Sequence, residues 1–186
     1  MKAKILDSKT ALIAMVLIIG LLCTSVCAVQ AYAYQKTGQK WGSKTQTVYL
    51  DSSVKGAYLT GAKSAIVNYD NSTDAVMKQS TTQSKLPWKA AVKRVANSGW
   101  EGRSEWNYNK TTNKITSATS TINSYYCSGY SSAQLKVIWL HEFGHVWGLA
   151  HSVRKDRVMY TSASAAYKNG VRSLTSDEIS GINALY

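Results

Sequence analysis

The chain of 186 residues is 45% hydrophobic and 17% charged, and it carries a formal net charge of +12. This length and apolar content predict one domain with a buried core and leave little room for two independent domains. Basic residues are scattered along the chain, as at Lys36, Lys55 and Lys89, whereas nucleic-acid-binding proteins usually gather them in a patch. We therefore expect no nucleic-acid partner and an affinity for polyanions such as anionic cell-wall polymers.

The N-terminus has the pattern of a secretory signal. Three lysines precede an apolar run over residues 11–22, and small-residue cleavage patterns end at Ala28 and Ala33. An uncleaved membrane anchor is the alternative, but the run is short of the ~20 residues that span a bilayer. We place a signal peptide over residues 1–33 and a catalytic domain over residues 34–186, and we expect a secreted, extracellular protein.

Cysteine usage fits export. Cleavage after Ala28 or Ala33 removes Cys23 and Cys27 and leaves Cys127 as the remaining thiol, so no internal disulfide can form. We expect Cys127 to be a half-buried packing residue, with a fourth metal ligand as the alternative.

The first half of the domain predicts strands around one helix. Residues 47–50 are β-prone and end in a turn composition, and apolar residues at helical spacing predict an amphipathic helix over 59–69. Residues 75–82 and 90–96 are possible strands. The strongest strand prediction is residues 114–126, which are rich in β-branched and aromatic side chains.

The second half predicts two capped helices. Residues 97–102 have loop chemistry, within which Trp100 is interpreted as a core anchor. A capping-box pattern begins a helix at Ser131, and Gly148 is placed to end it. A second capping box begins a helix at Thr175 that is predicted to run to the chain end.

Residues 141–151 have the form His-Glu-x-x-His-x-x-Gly-x-x-His. Side chains four apart share a helix face about 6 Å apart, so His141 and His145 can bind one zinc ion. His151 would point elsewhere if the helix continued. Gly148 permits a sharp turn that returns His151 to the metal, which leaves a fourth position open for water.

Glu142 is predicted to be the catalytic residue of this site. It lies next to His141 but is rotated by about 100° around the helix, so its carboxylate can reach a zinc-activated water without binding the metal. It would take the proton of that water and deliver it to the leaving amine. A closed structural zinc site is the alternative, and Cys127 is its candidate fourth ligand.

At these residues the sequence resembles the metzincin clan of zinc peptidases, and Ser152 after the third histidine is typical of its matrixin branch. Met159 lies in a segment similar to the matrixin Met-turn, in which the methionine forms a hydrophobic floor under the metal. Residues 174–186 are similar to the closing matrixin helix, where paired acids, here Asp177 and Glu178, help anchor the base of the active site.

The resemblance is strong over residues 131–186 and weaker over 40–126. It implies the α+β metzincin fold: a twisted mixed β-sheet with an active-site helix, a first amphipathic helix and a C-terminal helix around a zinc cleft. It also implies an extended substrate that pairs with an edge strand within residues 114–126, and a lower wall that follows Met159. Together with the signal peptide it indicates a bacterial secreted member.

Several positions depart from the matrixin pattern. Thr161 stands where matrixins have a proline, and Ala163 where they usually have a tyrosine that lines the specificity pocket, so the side-chain preference stays open. Aspartates are scarce, so calcium binding is left open. No cysteine stands in the latency-switch motif.

The resulting expectation is a monomeric zinc endopeptidase that hydrolyses protein or peptide substrates. Two alternatives remain: a hydrolase of cell-wall peptides, which the positive charge favours, and an inactive zinc-bound binding domain, which the intact Glu142 argues against.

Overall fold

The fold is described from a computed structural model over residues 34–186. The signal peptide predicted for residues 1–33 lies outside the described residues. Within residues 34–186, no helix is long and apolar enough to span a membrane.

Six strands and five helices make up the described domain. The strands are β1 (Lys40–Trp41), β2 (Thr45–Leu50), β3 (Val76–Ser80), β4 (Trp88–Lys93), β5 (Gly102–Asn109) and β6 (Lys114–Asn123). The helices are α1 (Ala57–Ser72), α2 (Ser124–Cys127), α3 (Ser132–Val146), α4 (Ala163–Lys168) and α5 (Ser176–Asn183).

The strands form one mixed sheet. β3, β2, β4 and β6 lie side by side and run parallel, with Val48 opposite Trp88 and Ala90 opposite Ser120. β1 pairs in parallel with the start of β6. β5 runs antiparallel along the other side of β6 and forms an edge of the sheet.

Helix α3 is fixed to the sheet and to α1 by buried aromatic residues. The Trp88 ring of β4 packs edge-on against Phe143 and Trp147, with ring centroids 5.4 and 5.6 Å apart. The Tyr69 hydroxyl of α1 donates to the Leu140 carbonyl oxygen of α3 at 2.6 Å. Full burial of each large apolar side chain contributes about 1.5–3 kcal/mol, so the helix that carries the histidines is firmly held.

Both capping-box predictions are confirmed. The Ser131 hydroxyl accepts from the Gln134 backbone N–H, and the Ser131 backbone N–H donates to Gln134 Oε1. Thr175 and Glu178 form the same motif. The last helix nevertheless ends at Asn183 and not at the chain end. The first helix and the strand predicted over 47–50 are also present, each somewhat longer than predicted.

Other predictions need correction. The strand predicted over 114–126 ends at Asn123, because the Asn123 side chain accepts from the Tyr125 backbone N–H and caps α2. The strand predicted over 90–96 ends at Lys93. β5 and α4 were not predicted. β5 offers only the alternation of Trp106 and Tyr108 with polar residues as a signal, and its residues are mostly exposed.

Candidate metal centre and cleft

Three histidines converge at one point of the domain. The Nε2 atoms of His141 and His145 are 3.1 Å apart, and each lies 3.2 Å from Nε2 of His151. His141 is buried, His145 is half-buried and His151 is exposed. The spacing within the helix and the turn at its end thus bring together the three ligands that the sequence predicts.

Backbone carbonyls fix the two helical imidazoles. Nδ1 of His141 donates to the Val158 carbonyl oxygen at 2.8 Å, and Nδ1 of His145 donates to the Leu149 carbonyl oxygen at 2.9 Å. Since a carbonyl can only accept, both rings carry their proton on Nδ1 and turn the Nε2 lone pair to the centre. Burial lowers the pKa of His141 to about 3 and of His145 to about 4, so both rings are neutral at pH 7.

Gly148 produces the turn that returns His151. Its φ is +100°, and a Cβ there would lie 2.7 Å from the Gln39 carbonyl oxygen. The backbone of Gly148 and Ala150 is held by the start of the domain: the Thr37 N–H donates to the Gly148 carbonyl at 2.9 Å, and the Ala150 N–H donates to the Gln35 carbonyl at 2.7 Å. This turn is therefore clamped on the side away from the cleft.

Met159 packs against the helix that carries His141 and His145. Its side chain is 2% exposed, and Sδ packs against Gly144 of α3, between the two helical histidines in sequence. Its carbonyl oxygen accepts from the Ser152 N–H at 2.6 Å. Met159 is thus buried against the helix that carries His141 and His145, and the floor role that the resemblance implies stays a prediction.

The paired acids, Asp177 and Glu178, hold the segment that contains Met159. Glu178 is 1% exposed, and its Oε1 accepts from the Met159 N–H at 3.1 Å while Oε2 accepts from the Thr175 N–H at 2.9 Å. Asp177 forms an ion pair with Arg157 at 3.3 Å. Helix α5 thereby ties the Met159 turn to the domain.

Glu142 is buried beside the histidines. Its carboxylate packs so closely on β5 that a Cβ on Gly102 would lie 2.4 Å from Glu142 Oε1. Burial raises the pKa of the carboxyl to about 8, and the Ser104 side chain opposes that rise. Oε2 has no hydrogen-bond partner among the described residues. A buried, unpartnered carboxylate oxygen is suited to receive a proton from a small polar ligand.

A cleft of about 570 Å³ lies over this group. One side, here called the β5 wall, consists of residues 99–104 and Trp106, and the opposite side, the lower wall, consists of residues 161–164. The lower wall follows Met159, as the resemblance implies. Ile138, one helical turn before His141, also lines the cleft.

The β5 wall corrects two expectations. The edge strand beside the cleft is β5 and not a part of residues 114–126, because β6 is paired on both sides. Trp100 is half-buried in the β5 wall and is absent from the core, since it lies in the irregular segment that precedes β5.

Cys127 does not join the histidines. It is fully buried, with Sγ 3.6 Å from the Glu101 carbonyl oxygen. Burial raises the pKa of the thiol to about 12. The packing role expected for Cys127 is confirmed, although the side chain is more deeply buried than predicted.

Comparison with known proteins agrees with this geometry. The family model described as matrixin matches residues 43–186. This chain belongs to the matrixin family. A protein of Spodoptera frugiperda ascovirus 1a named "Putative matrix metalloproteinase" is 44% identical over 48 residues, which are 25% of this chain and 12% of that protein. The match therefore spans about an eighth of that relative's length.

Matrixin membership implies zinc, and the residues present fit it. A tetrahedral zinc ion with Zn–N bonds of ~2.0–2.1 Å separates its nitrogen ligands by about 3.3 Å, close to the observed 3.1–3.2 Å between the Nε2 atoms. Three imidazoles, two of which have a second nitrogen oriented by a backbone carbonyl, form a donor set typical of a catalytic zinc site.

Sequence reasoning missed three residues that shape this matrixin site. The Ser104 hydroxyl donates to the Glu142 carbonyl oxygen at 2.8 Å, Gly102 makes room for the Glu142 carboxylate, and Glu101 lines the cleft. All three belong to the β5 wall. Their only sequence signal is the alternation that would have identified β5 itself.

Proposed function

We propose that this matrixin is a secreted zinc-dependent endopeptidase that hydrolyses protein or peptide substrates, with Glu142 as general base and acid. The observation that carries the proposal is the placement of an unpartnered, buried Glu142 Oε2 beside three converging Nε2 atoms at the floor of an open cleft. Enzymes of this type need an acid/base group next to, but separate from, the metal ligands.

His141, His145 and His151 would hold the metal through Nε2. Bound zinc supplies a Lewis acid that lowers the pKa of water and polarises a carbonyl group. Glu142 accepts the proton at Oε2 and returns it to the amine that leaves. The raised pKa of Glu142, about 8, strengthens the carboxylate as a base. The positive charge of a bound metal would lower that pKa, which keeps the carboxylate ionised before proton uptake and favours return of the proton afterwards.

The walls of the cleft would bind an extended peptide. Within residues 34–186, β5 pairs with β6 along one side and with no strand along the other, so the backbone groups of that other side could pair with a substrate strand. The half-buried rings of Trp100 and Trp106 on the β5 wall would cover apolar parts of the substrate.

The test combines metal content and proteolysis. Purified mature protein, its Glu142→Gln variant and a chelator-treated sample are assayed for bound zinc and for casein cleavage, with Asp70→Asn, an exposed change on α1, as the control. We expect one zinc per chain in both variants, and a loss of about a thousandfold or more in turnover for Glu142→Gln alone. Stoichiometric zinc with full activity in Glu142→Gln would exclude the proposed mechanism.

A hydrolase of cell-wall peptides is the second candidate, favoured by the net charge of +12 and the signal-like N-terminus. Digestion of purified cell wall is compared with digestion of casein under the same conditions. Release of peptides from the wall without cleavage of casein would select this candidate. Zinc binding with no cleavage of either substrate would select the inactive binding domain.

A further inference from the structure

Glu101, an acid of the cleft outside the metal-binding segment, has no cationic partner within residues 34–186. Glu101 lies at the start of the β5 wall, directly before Gly102, which touches the Glu142 carboxylate. Consecutive Cα atoms are 3.8 Å apart, so Glu101 lies directly beside the residue that contacts the proposed acid/base, and both acids line the same cleft. A substrate group that reaches Glu101 therefore belongs to a residue close to the scissile bond.

The Glu101 carboxylate is held in place on one side only. The Tyr130 hydroxyl donates to Oε1 at 2.5 Å, and the Ser164 side chain of the lower wall also hydrogen-bonds to that hydroxyl. Burial, followed by the bond to Glu101, raises the pKa of Tyr130 to about 12, so the hydroxyl keeps its proton and remains a donor. Oε2 has no hydrogen bond within residues 34–186.

No lysine, arginine or histidine within residues 34–186 forms an ion pair with Glu101. The neighbouring cation of the cleft, Arg103, is paired instead with Glu105 at 2.9 Å, and its side chain is 58% exposed. A fixed, half-buried carboxylate without a cation gains most from a charged hydrogen-bond donor that displaces its remaining water.

We propose that Glu101 determines specificity and selects substrates with a lysine or arginine side chain adjacent to the scissile bond. The proposal rests on the proposed peptidase function and deepens it. Tyr130 is a positioning residue that orients the carboxylate. Ala163 of the lower wall leaves room for a long side chain, because a small residue stands where a bulky one would narrow the cleft.

The first experiment measures selectivity, after the cut sites in casein have been mapped by mass spectrometry. Quenched fluorescent peptides place lysine, norleucine or glutamate at each position next to the cut bond. Norleucine matches the length of the lysine stem without its charge. We expect kcat/KM for the best lysine peptide to exceed that of its norleucine partner by about tenfold or more.

Variants then assign this preference. Glu101→Gln should bring the lysine-to-norleucine ratio close to one, and Glu101→Lys should favour the glutamate peptide. Asp70→Asn removes an exposed charge from α1, outside the cleft, and should keep the wild-type ratio. Tyr130→Phe keeps the charge but frees the carboxylate, so the ratio should fall only part of the way. An unchanged ratio in Glu101→Gln overturns the proposal.

A binding readout separates this proposal from the function on which it rests. In the Glu142→Ala background, fluorescence anisotropy compares the affinities for lysine and norleucine peptides, with and without Glu101→Gln. If the wild-type protein cleaves nothing but Glu101→Gln abolishes a lysine preference in binding, the peptidase function fails while the Glu101 assignment holds. Equal binding of both peptides, or tighter binding of the glutamate peptide through Arg103, overturns the assignment.

Discussion

The two sides of the cleft are built in different ways. The metal-binding segment, residues 141–151, is mostly buried, and its helical imidazoles are fixed by the Val158 and Leu149 carbonyls. The β5 wall lies at a sheet edge, and alternate side chains such as Arg103 and Glu105 are exposed. The difference indicates that one side fixes the reacting groups, whereas the exposed side chains of the other can change without disturbing them. Gly102 and Ser104 are the exceptions on the β5 wall, because both contact Glu142.

The largest expected effect comes from a substitution in the metal-binding segment. In Gly148→Ala a side chain must adopt φ near +100° and its Cβ meets the Gln39 carbonyl oxygen at 2.7 Å. We expect the free energy of unfolding to fall by about 3 kcal/mol, together with weaker zinc binding because His151 shifts. Urea unfolding and zinc titration measure both.

Gly170→Ala is the matched control. Gly170 also has a positive φ, +93°, but a Cβ there has nothing within 4 Å. It should lose only the conformational part, about 1–2 kcal/mol, and bind zinc normally. Equal losses in the two variants would show that contact with Gln39 does not matter.

The second prediction concerns the point at which the β5 wall contacts Glu142. In Gly102→Ala the new Cβ would lie 2.4 Å from Glu142 Oε1, so the carboxylate must move. We expect kcat to fall by about tenfold to a hundredfold, with zinc content unchanged because the atoms nearest the new Cβ all belong to Glu142. Gly129→Ala, where a Cβ meets nothing within 4 Å, should keep full activity. Loss of zinc in Gly102→Ala would contradict the separation of the two sides.

This division also explains what the sequence could predict. The helix repeat alone brings His141 and His145 to one face, and one glycine returns His151, so local rules suffice for the metal-binding segment. Glu101 and Ser104 reach the site only because β5 pairs with β6, a contact that no local pattern specifies. Asn123 shows the same limit, since its side-chain cap ends a strand that β propensity alone would continue.

The third prediction concerns the protein without zinc. His141 and His145 stay neutral down to a pKa of about 3 and about 4, whereas in the unfolded chain they protonate near 6.5. Below 6.5 the unfolded state therefore binds more protons, and stability falls as the pH falls. Glu142, whose pKa is raised to about 8, has the opposite effect on stability. As the pH falls, its carboxylate binds a proton in the folded state at a higher pH than in the unfolded state, so its contribution to stability rises.

The stability lost through the two histidines exceeds the stability gained through the one carboxyl group. The free energy of unfolding of the metal-free protein should therefore fall by about 1–2 kcal/mol from pH 6.5 to pH 5. Urea unfolding in the presence of a chelator measures this change. In His145→Gln the opposite pH dependences of His141 and Glu142 nearly cancel, so the free energy of unfolding should stay almost constant over the same pH range. Greater stability of the wild-type metal-free protein at pH 5 would contradict the burial of these rings.

The smallest expected effect comes from the ion pair between Asp51 and Lys89, two residues of the domain that do not line the cleft. Lys89 Nζ lies 2.7 Å from Asp51 Oδ2, and this contact, with the Ser53 N–H, lowers the pKa of Asp51 to about 2. The carboxylate thus stabilises the fold above its ordinary pKa of 3.8, and that stability is lost as the pH falls toward 2. Because the pair is partly exposed, Asp51→Asn should cost about 1 kcal/mol at pH 7 and about half as much at pH 3.

Urea unfolding at both pH values measures the difference, with Asp70→Asn, an exposed change on α1, as the control. Zinc content and peptide cleavage should be unchanged in Asp51→Asn, because neither side of the cleft contains Asp51 or Lys89. If this small loss of stability reduced cleavage as strongly as Gly102→Ala does, the effect of Gly102→Ala could be assigned to general weakening of the sheet. Unchanged cleavage assigns it to displacement of Glu142.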